Sequence, residues 1–254
     1  MKLVTWNVNS LKVRLPQVIN WLEANQPDLL CLQETKLQDE FFPAAEIASI
    51  GYQSIYVGQK TFNGVALLSK QQGTDVITAI PNWDDEQKRV IAATYEDVRV
   101  ICVYVPNGES IESEKYQYKL NWLSALRQWL NKELEQYPRL AVLGDFNIAP
   151  EDRDVHDPDL WKGQVLCSER ERNVFQELLN LGLADSFRLF DQPEKSYTWW
   201  DYRMLAFRRN RGLRIDHIML SDELAGRCKS CIIDKEPRKL ERPSDHTPVM
   251  VEIA

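Results

Sequence analysis

The sequence predicts an α/β fold in which two packed mixed sheets are flanked by helices, within one domain covering residues 1–254. Three observations lead there. Strand-like and helix-like segments alternate at both ends of the chain, short apolar runs parted by turn residues fill positions 52–105, and no Pro/Gly/Ser linker or shift in composition divides the chain. At 254 residues, 44% hydrophobic and 27% charged, the chain is long enough for one large core.

Taken in order, residues 3–8 read as a strand. Leu15, Val18, Ile19 and Leu22 then recur at helical spacing, with Pro16 near the helix start where a missing N–H costs little. Residues 28–32 form the next strand, and Glu34 lies just past it. Residues 52–57, 65–69, 76–79, 90–95 and 98–105 are short strands separated by Asn63-Gly64, Pro81 and Asp97, the pattern of consecutive hairpins. Leu120, Leu123, Leu130 and Leu134 mark a long helix, residues 140–143 a strand ending at Gly144-Asp145, and Phe175, Leu178 and Leu179 a second long helix. Residues 214–220 and 249–253 close the chain as strands.

Composition removes several classes. The N-terminus runs from Met1-Lys2 straight into an apolar strand without a signal-peptide core, and no segment approaches membrane-spanning length, so an intracellular, cytoplasmic protein with no membrane partner is expected. Five cysteines are an odd number for a disulfide framework. Cys228 and Cys231 make a CxxC, but no second Cys or His pair stands at zinc spacing. A net charge of −7 argues against a protein that coats nucleic acid. Its distribution says more. From Tyr202 to Ile215 there are five arginines and no acid, and residues 227–242 add six basic residues against three acidic ones. Trp199, Trp200, Tyr202 and Phe207 run into these arginines, and flat rings beside guanidinium groups suit stacking on a nucleic-acid strand.

The chemistry gathers where strands run out. Glu34, Asp145, Asn147, Asp216 and the Asp245-His246 pair all stand at such ends, where α/β sheets collect ligand and catalytic groups. Hydrolysing a phosphodiester needs a cation on the non-bridging oxygens, an activated water, and stabilisation of the leaving oxygen. Carboxylates with few histidines suit Mg²⁺, or Mn²⁺ in its place, better than zinc. Of the three histidines, His156 sits in an acidic loop and His217 points to the face opposite Asp216. His246 is therefore the expected catalytic imidazole, with Asp216 its natural partner.

Six motifs occur in order: Thr5-Trp6-Asn7-Val8-Asn9, Leu32-Gln33-Glu34-Thr35-Lys36, Tyr104-Val105-Pro106-Asn107, Gly144-Asp145-Phe146-Asn147, Gly212-Leu213-Arg214-Ile215-Asp216 and Ser244-Asp245-His246. On these the chain resembles, over its whole length, the exonuclease III family of abasic-site endonucleases within the endonuclease/exonuclease/phosphatase fold. The resemblance implies a four-layer α/β/β/α sandwich with the active site at one rim of the paired sheets. It makes Glu34 the principal metal ligand, with Asn9 and Asp245 near the ion, Asn7 holding the cluster, and Asp145 and Asn147 bordering the metal while they activate or orient the attacking water. His246, paired with Asp216, would contact the scissile phosphate, Tyr104 would stand by the phosphate or leaving oxygen, and Asn107 would add a phosphate contact. Position 9 is a carboxylate in some relatives and Asn here, which leaves the number of metal ligands open.

Trp199, Leu213 and Ile215 align with that family's apolar pocket for a base-less sugar, although Leu213 and Ile215 read equally well as strand core. Arg203, Arg208, Arg209 and Arg211 would then grip the duplex. The resemblance thus implies a monomeric Mg²⁺-dependent DNA-repair nuclease acting on double-stranded DNA, incising 5′ to abasic sites and processing blocked 3′ ends as exonuclease or phosphatase. A first alternative is 3′-end processing with little abasic incision, the balance being set by loops such as 107–118 and 153–172. A phosphoesterase on a small headgroup would have no use for the aromatic and arginine stretch. A non-catalytic DNA-binding protein would have none for Glu34, Asp145, Asn147, Asp216 and His246 together.

Overall fold

A computed structural model describes residues 1–254. The strands are β1 (Lys2–Asn7), β2 (Leu29–Gln33), β3 (Gln53–Val57), β4 (Val65–Ser69), β5 (Thr74–Ile77), β6 (Val90–Tyr95), β7 (Val98–Tyr104), β8 (Leu140–Asp145), β9 (Leu183–Asp185), β10 (Asp216–Ser221), β11 (Cys228–Ile233) and β12 (Val249–Ile253). The helices are α1 (Leu11–Asn25), α2 (Ala44–Ser49), α3 (Glu114–Gln136), α4 (Pro158–Trp161), α5 (Glu169–Leu179) and α6 (Asp222–Ala225).

Two six-stranded mixed sheets result, in the orders β11-β12-β1-β2-β4-β3 and β5-β6-β7-β8-β10-β9. Each contains one parallel pair, β1–β2 and β7–β8, and in each case a long helix, α1 or α3, makes the crossover that parallel strands require. The expected hairpins are real within each sheet, but the chain changes sheets between β4 and β5, so the run is not continuous. The expected strand at 76–79 lies earlier, at Thr74–Ile77, and the expected start of β10 moves from residue 214 to Asp216. Both short β9 and β11, with its CxxC, are strands the sequence reading left out. The second helix, α5, is only eleven residues long and opens on a Ser168–Glu171 capping box.

Pleating sorts the core into three apolar layers, giving the four-layer sandwich. Leu3, Leu29, Cys31, Val100, Cys102, Leu143, Ile218 and Val251 pack between the sheets. Val4, Trp6 and Leu30 face α1 through Val18, Trp21 and Leu22, while Ile101, Val142 and Met219 face α3 and α5 through Leu123, Leu126 and Phe175. Leu143 is fully enclosed between the sheets, so Leu143→Ala would cost roughly 2–5 kcal/mol. No helix is long and apolar enough to cross a membrane.

Candidate active site

Side chains alternate in direction along a strand, so residues two apart share a face. Following the inter-sheet face outward, Leu3 and Thr5 lead to Asn7, Cys102 to Tyr104, Leu143 to Asp145, and Ile218 back to Asp216. The polar members therefore occupy the rim of the apolar layer that joins the sheets. Register brings them together: Asp216 is the cross-strand partner of Asp145, and Tyr104 lies beside Asp145 in the parallel pair. Gly144 makes this approach possible, because a Cβ there would lie 1.9 Å from the carbonyl oxygen of Val103.

Across the rim, Asn7 Nδ2 donates to Glu34 Oε1 at 2.8 Å and to Asp145 Oδ2 at 2.9 Å, tying the two sheets. Glu34 adopts a left-handed backbone (φ 54°), unusual for a glutamate, and is held there because Ser10 N–H donates to its carbonyl at 2.7 Å. Asn147 is also left-handed (φ 50°). Its N–H donates to Asp145 Oδ1 and its side-chain amide to the Val105 carbonyl, while its Oδ1 accepts from Asn107.

His246 completes the cluster. Its Nδ1 lies 2.8 Å from Asp216 Oδ2, and its Nε2 faces Asp145 Oδ2 at 3.7 Å. Burial opposes its charge, but Asp216 and Asp145 outweigh burial and push its pKa up to about 10, so the ring is an imidazolium at neutral pH. Burial raises the Asp145 pKa to about 7, with His246 pulling it down and Asp216 and Glu34 pushing it up. Burial also holds the Tyr104 phenol well above its ordinary pKa, reinforced by Glu34 and Asp145, so it stays a proton donor; the Arg89 guanidinium lies 4.6 Å over its ring.

Glu34, Asp145 and His246 present ligand atoms within 4.8 Å of one another. An imidazolium has no lone pair to give, so the donors that fit an ion are the carboxylate oxygens of Glu34 and Asp145, a set suited to a hard divalent cation. Asn9 and Asp245 stand one step away. Asn9 Oδ1 accepts from Lys36, which also pairs with Glu34, and Asn9 Nδ2 donates to Asp245, whose other oxygen accepts from Trp199 Nε1.

Other expected site residues stand outside the cluster of Glu34, Asp145 and His246. Leu213 and Ile215 are wholly buried with Ala149, Val155, Leu166 and Cys167, because the 149–167 segment packs over them; of the expected sugar pocket only Trp199 keeps an open face. Arg203 is bonded to Asp201, whereas Arg208, Arg209 and Arg211 are exposed and form no ion pair. His217 does face away from Asp216, between Phe146 and Phe175; burial, aided by Arg214, lowers its pKa to about 4. His156 bonds the Gly212 carbonyl. Cys231 is buried against Ser186, and no group of metal ligands forms around the CxxC. Sequence reasoning missed Lys36 and Lys119. The second carried a signal, a lysine interrupting the apolar stripe of α3 between Tyr116 and Leu120.

A two-sheet sandwich whose rim gathers carboxylates, a phenol and an imidazolium defines a phosphoester hydrolase of the α/β/β/α class. The chain matches the Endonuclease/Exonuclease/phosphatase family over residues 4–246 and belongs to it, in its exonuclease III branch. It is 39% identical to exodeoxyribonuclease III of Haemophilus influenzae, with 99% of each chain covered. Among solved structures it superposes with TM-score 0.99 at 50% identity on a variant of the 3′ phosphatase NExo from Neisseria bound to product DNA hairpin, covering 100% of this chain and 99% of that one. An AP endonuclease from Archaeoglobus fulgidus matches with TM-score 0.96 at 40% identity over 100% and 99% of the two chains.

Proposed function

We propose that this chain is a DNA-repair nuclease, dependent on a divalent ion such as Mg²⁺, that acts first on 3′ ends, removing 3′-phosphates and 3′-terminal nucleotides, with incision at abasic sites secondary. The observation that carries the hydrolytic reading is the meeting of Glu34, Asp145 and the Asp216-held imidazolium of His246 in one cleft. Glu34 and Asp145 would hold the ion, which when bound supplies positive charge to the non-bridging phosphate oxygens.

The chain's own residues do the rest. His246 places a fixed positive N–H on the phosphate. Asp145, with a pKa near neutrality, accepts the proton of the attacking water as the new P–O bond forms, and Asn147 keeps that carboxylate aimed. The P–O3′ bond breaks, and the Tyr104 phenol, a proton donor throughout the neutral range, supplies the proton that leaves a 3′-hydroxyl. Asn107 adds a phosphate donor.

The preference for 3′ ends is supported by the burial of Leu213 and Ile215, which leaves less apolar recess for an extruded sugar, and by the 50% identity to the Neisseria 3′ phosphatase. The experiment is a comparison of initial rates, with Mg²⁺ and with EDTA, on duplexes bearing a 3′-phosphate, a recessed 3′ end or an internal abasic analogue. A 3′-phosphate rate at least about tenfold above abasic incision is expected. The reverse order would make abasic incision the principal activity.

A further inference from the structure

Behind the cleft, on the face of α3 that packs against the second sheet, the ammonium of Lys119 is wholly buried. It reaches three acceptors: the backbone carbonyl of Asn147 at 2.6 Å, the backbone carbonyl of Asn107 at 3.1 Å, and Glu171 Oε1 at 2.5 Å. We propose that Lys119, fixed by Glu171, is a positioning residue for the hydrolytic reaction: by holding the carbonyls of Asn107 and Asn147 it sets the aim of both amides and of Asp145. This inference rests on the catalytic reading above.

The geometry makes the lysine hard to replace. Asn107 and Asn147 lie in segments that leave their strands, and no backbone N–H reaches either carbonyl, so the ammonium supplies the donor that each would otherwise lack. Fixing the Asn147 carbonyl fixes its left-handed turn, and that turn places the Asn147 N–H on Asp145 Oδ1. Fixing Asn107 keeps its amide on Asn147 Oδ1, so the two loops move as one.

Glu171 is itself fully determined. Oε1 also accepts from Leu166 N–H, and Oε2 accepts from the N–H and hydroxyl of Ser168 in the capping box of α5. The ion pair thus transmits the rigidity of α3 and α5 to the two site loops. Gly108 packs on the lysine stem; a Cβ there would lie 3.3 Å from Lys119 Cδ.

The test uses two paired variants, K119M/E171Q and K119Q/E171Q, because removing the lysine alone would strand a buried carboxylate. Circular dichroism and thermal melts establish folding; kcat and KM are measured on a 3′-phosphate duplex with Mg²⁺. In a folded pair kcat should fall about tenfold to a hundredfold with KM within about twofold, since loosened aim affects the transition state and not DNA binding. E171Q alone, which leaves the lysine donor in place, should lose less. A folded pair with parental kcat overturns the inference, and so does failure of both pairs to fold, which would assign the lysine to the fold. An inactive parent protein, by contrast, strikes at the catalytic reading itself.

Discussion

Asp216 and His246 form a buried pair, 2.8 Å from carboxylate oxygen to Nδ1, in which the carboxylate fixes both the orientation and the charge of the ring. The His246 pKa, about 10, lies above its ordinary 6.5, so the pair's contribution to stability is complete below pH 6.5 and is lost as pH rises through about 10. Asp216→Asn should bring the His246 pKa down by about two units and lower kcat by about tenfold to a thousandfold. Proton NMR titration of the ring in parent and variant checks the first expectation. An unshifted ring would mean that Asp216 does not hold the charge.

Asp145 is expected to dominate the acid side of the pH-rate profile. Its carboxyl must lose its proton to act as a base, so in the protein without added ion the relevant titration lies near pH 7, and rising Mg²⁺ should move the acid limb lower. The alkaline limb should lie near pH 10, where His246 loses its charge. A profile that stays flat between about pH 5 and 8 at low Mg²⁺ would contradict the assignment.

The same residue should oppose stability. Its folded pKa of about 7 exceeds the ordinary 3.8, so the ionised carboxylate penalises the fold increasingly between those values and fully above pH 7. Asp145→Asn should therefore abolish turnover yet raise Tm by roughly 5 °C at about pH 8, on the order of a few kcal/mol, and by little at about pH 4. Paired melts in EDTA at the two pH values provide the check. Equal effects at both would show that ionisation is not the cause.

Much of this site was legible in the sequence because its residues stand at strand ends, and strand ends follow from local apolar patterns. Glu34, Asp145, Asp216 and His246 were located that way, and the six ordered motifs placed Asn7 and Tyr104 beside them. What local pattern could not convey was loop packing. Leu213 and Ile215 read both as pocket wall and as strand core, and the local pattern does not show the 149–167 segment that packs over them. Nor does any short window reveal that the chain changes sheets after β4, or that β11 pairs with β12, because both depend on partners distant in sequence. Lys119 breaks the apolar pattern of α3, but that pattern gives it no role, because its acceptors come from two distant loops and from α5.

Arg208 and Arg209 are exposed and make no ion pair, so they are free to meet phosphates. Replacing both by alanine should weaken duplex binding equally on all sequences and reduce the slope of log K against log salt by about 1–2. Fluorescence anisotropy at several salt concentrations measures this. An unaltered slope would put the duplex on another face.

The most direct test of the account is a Mg²⁺ titration of phosphate release from a 3′-phosphate duplex by the parent protein and by Glu34→Gln. The account expects no release in EDTA, saturable release with Mg²⁺ for the parent, and for the variant a requirement for at least about tenfold more Mg²⁺ together with a lower maximum. Release by the parent in EDTA, or a variant curve that overlays the parental one, would contradict a hydrolytic centre built on Glu34.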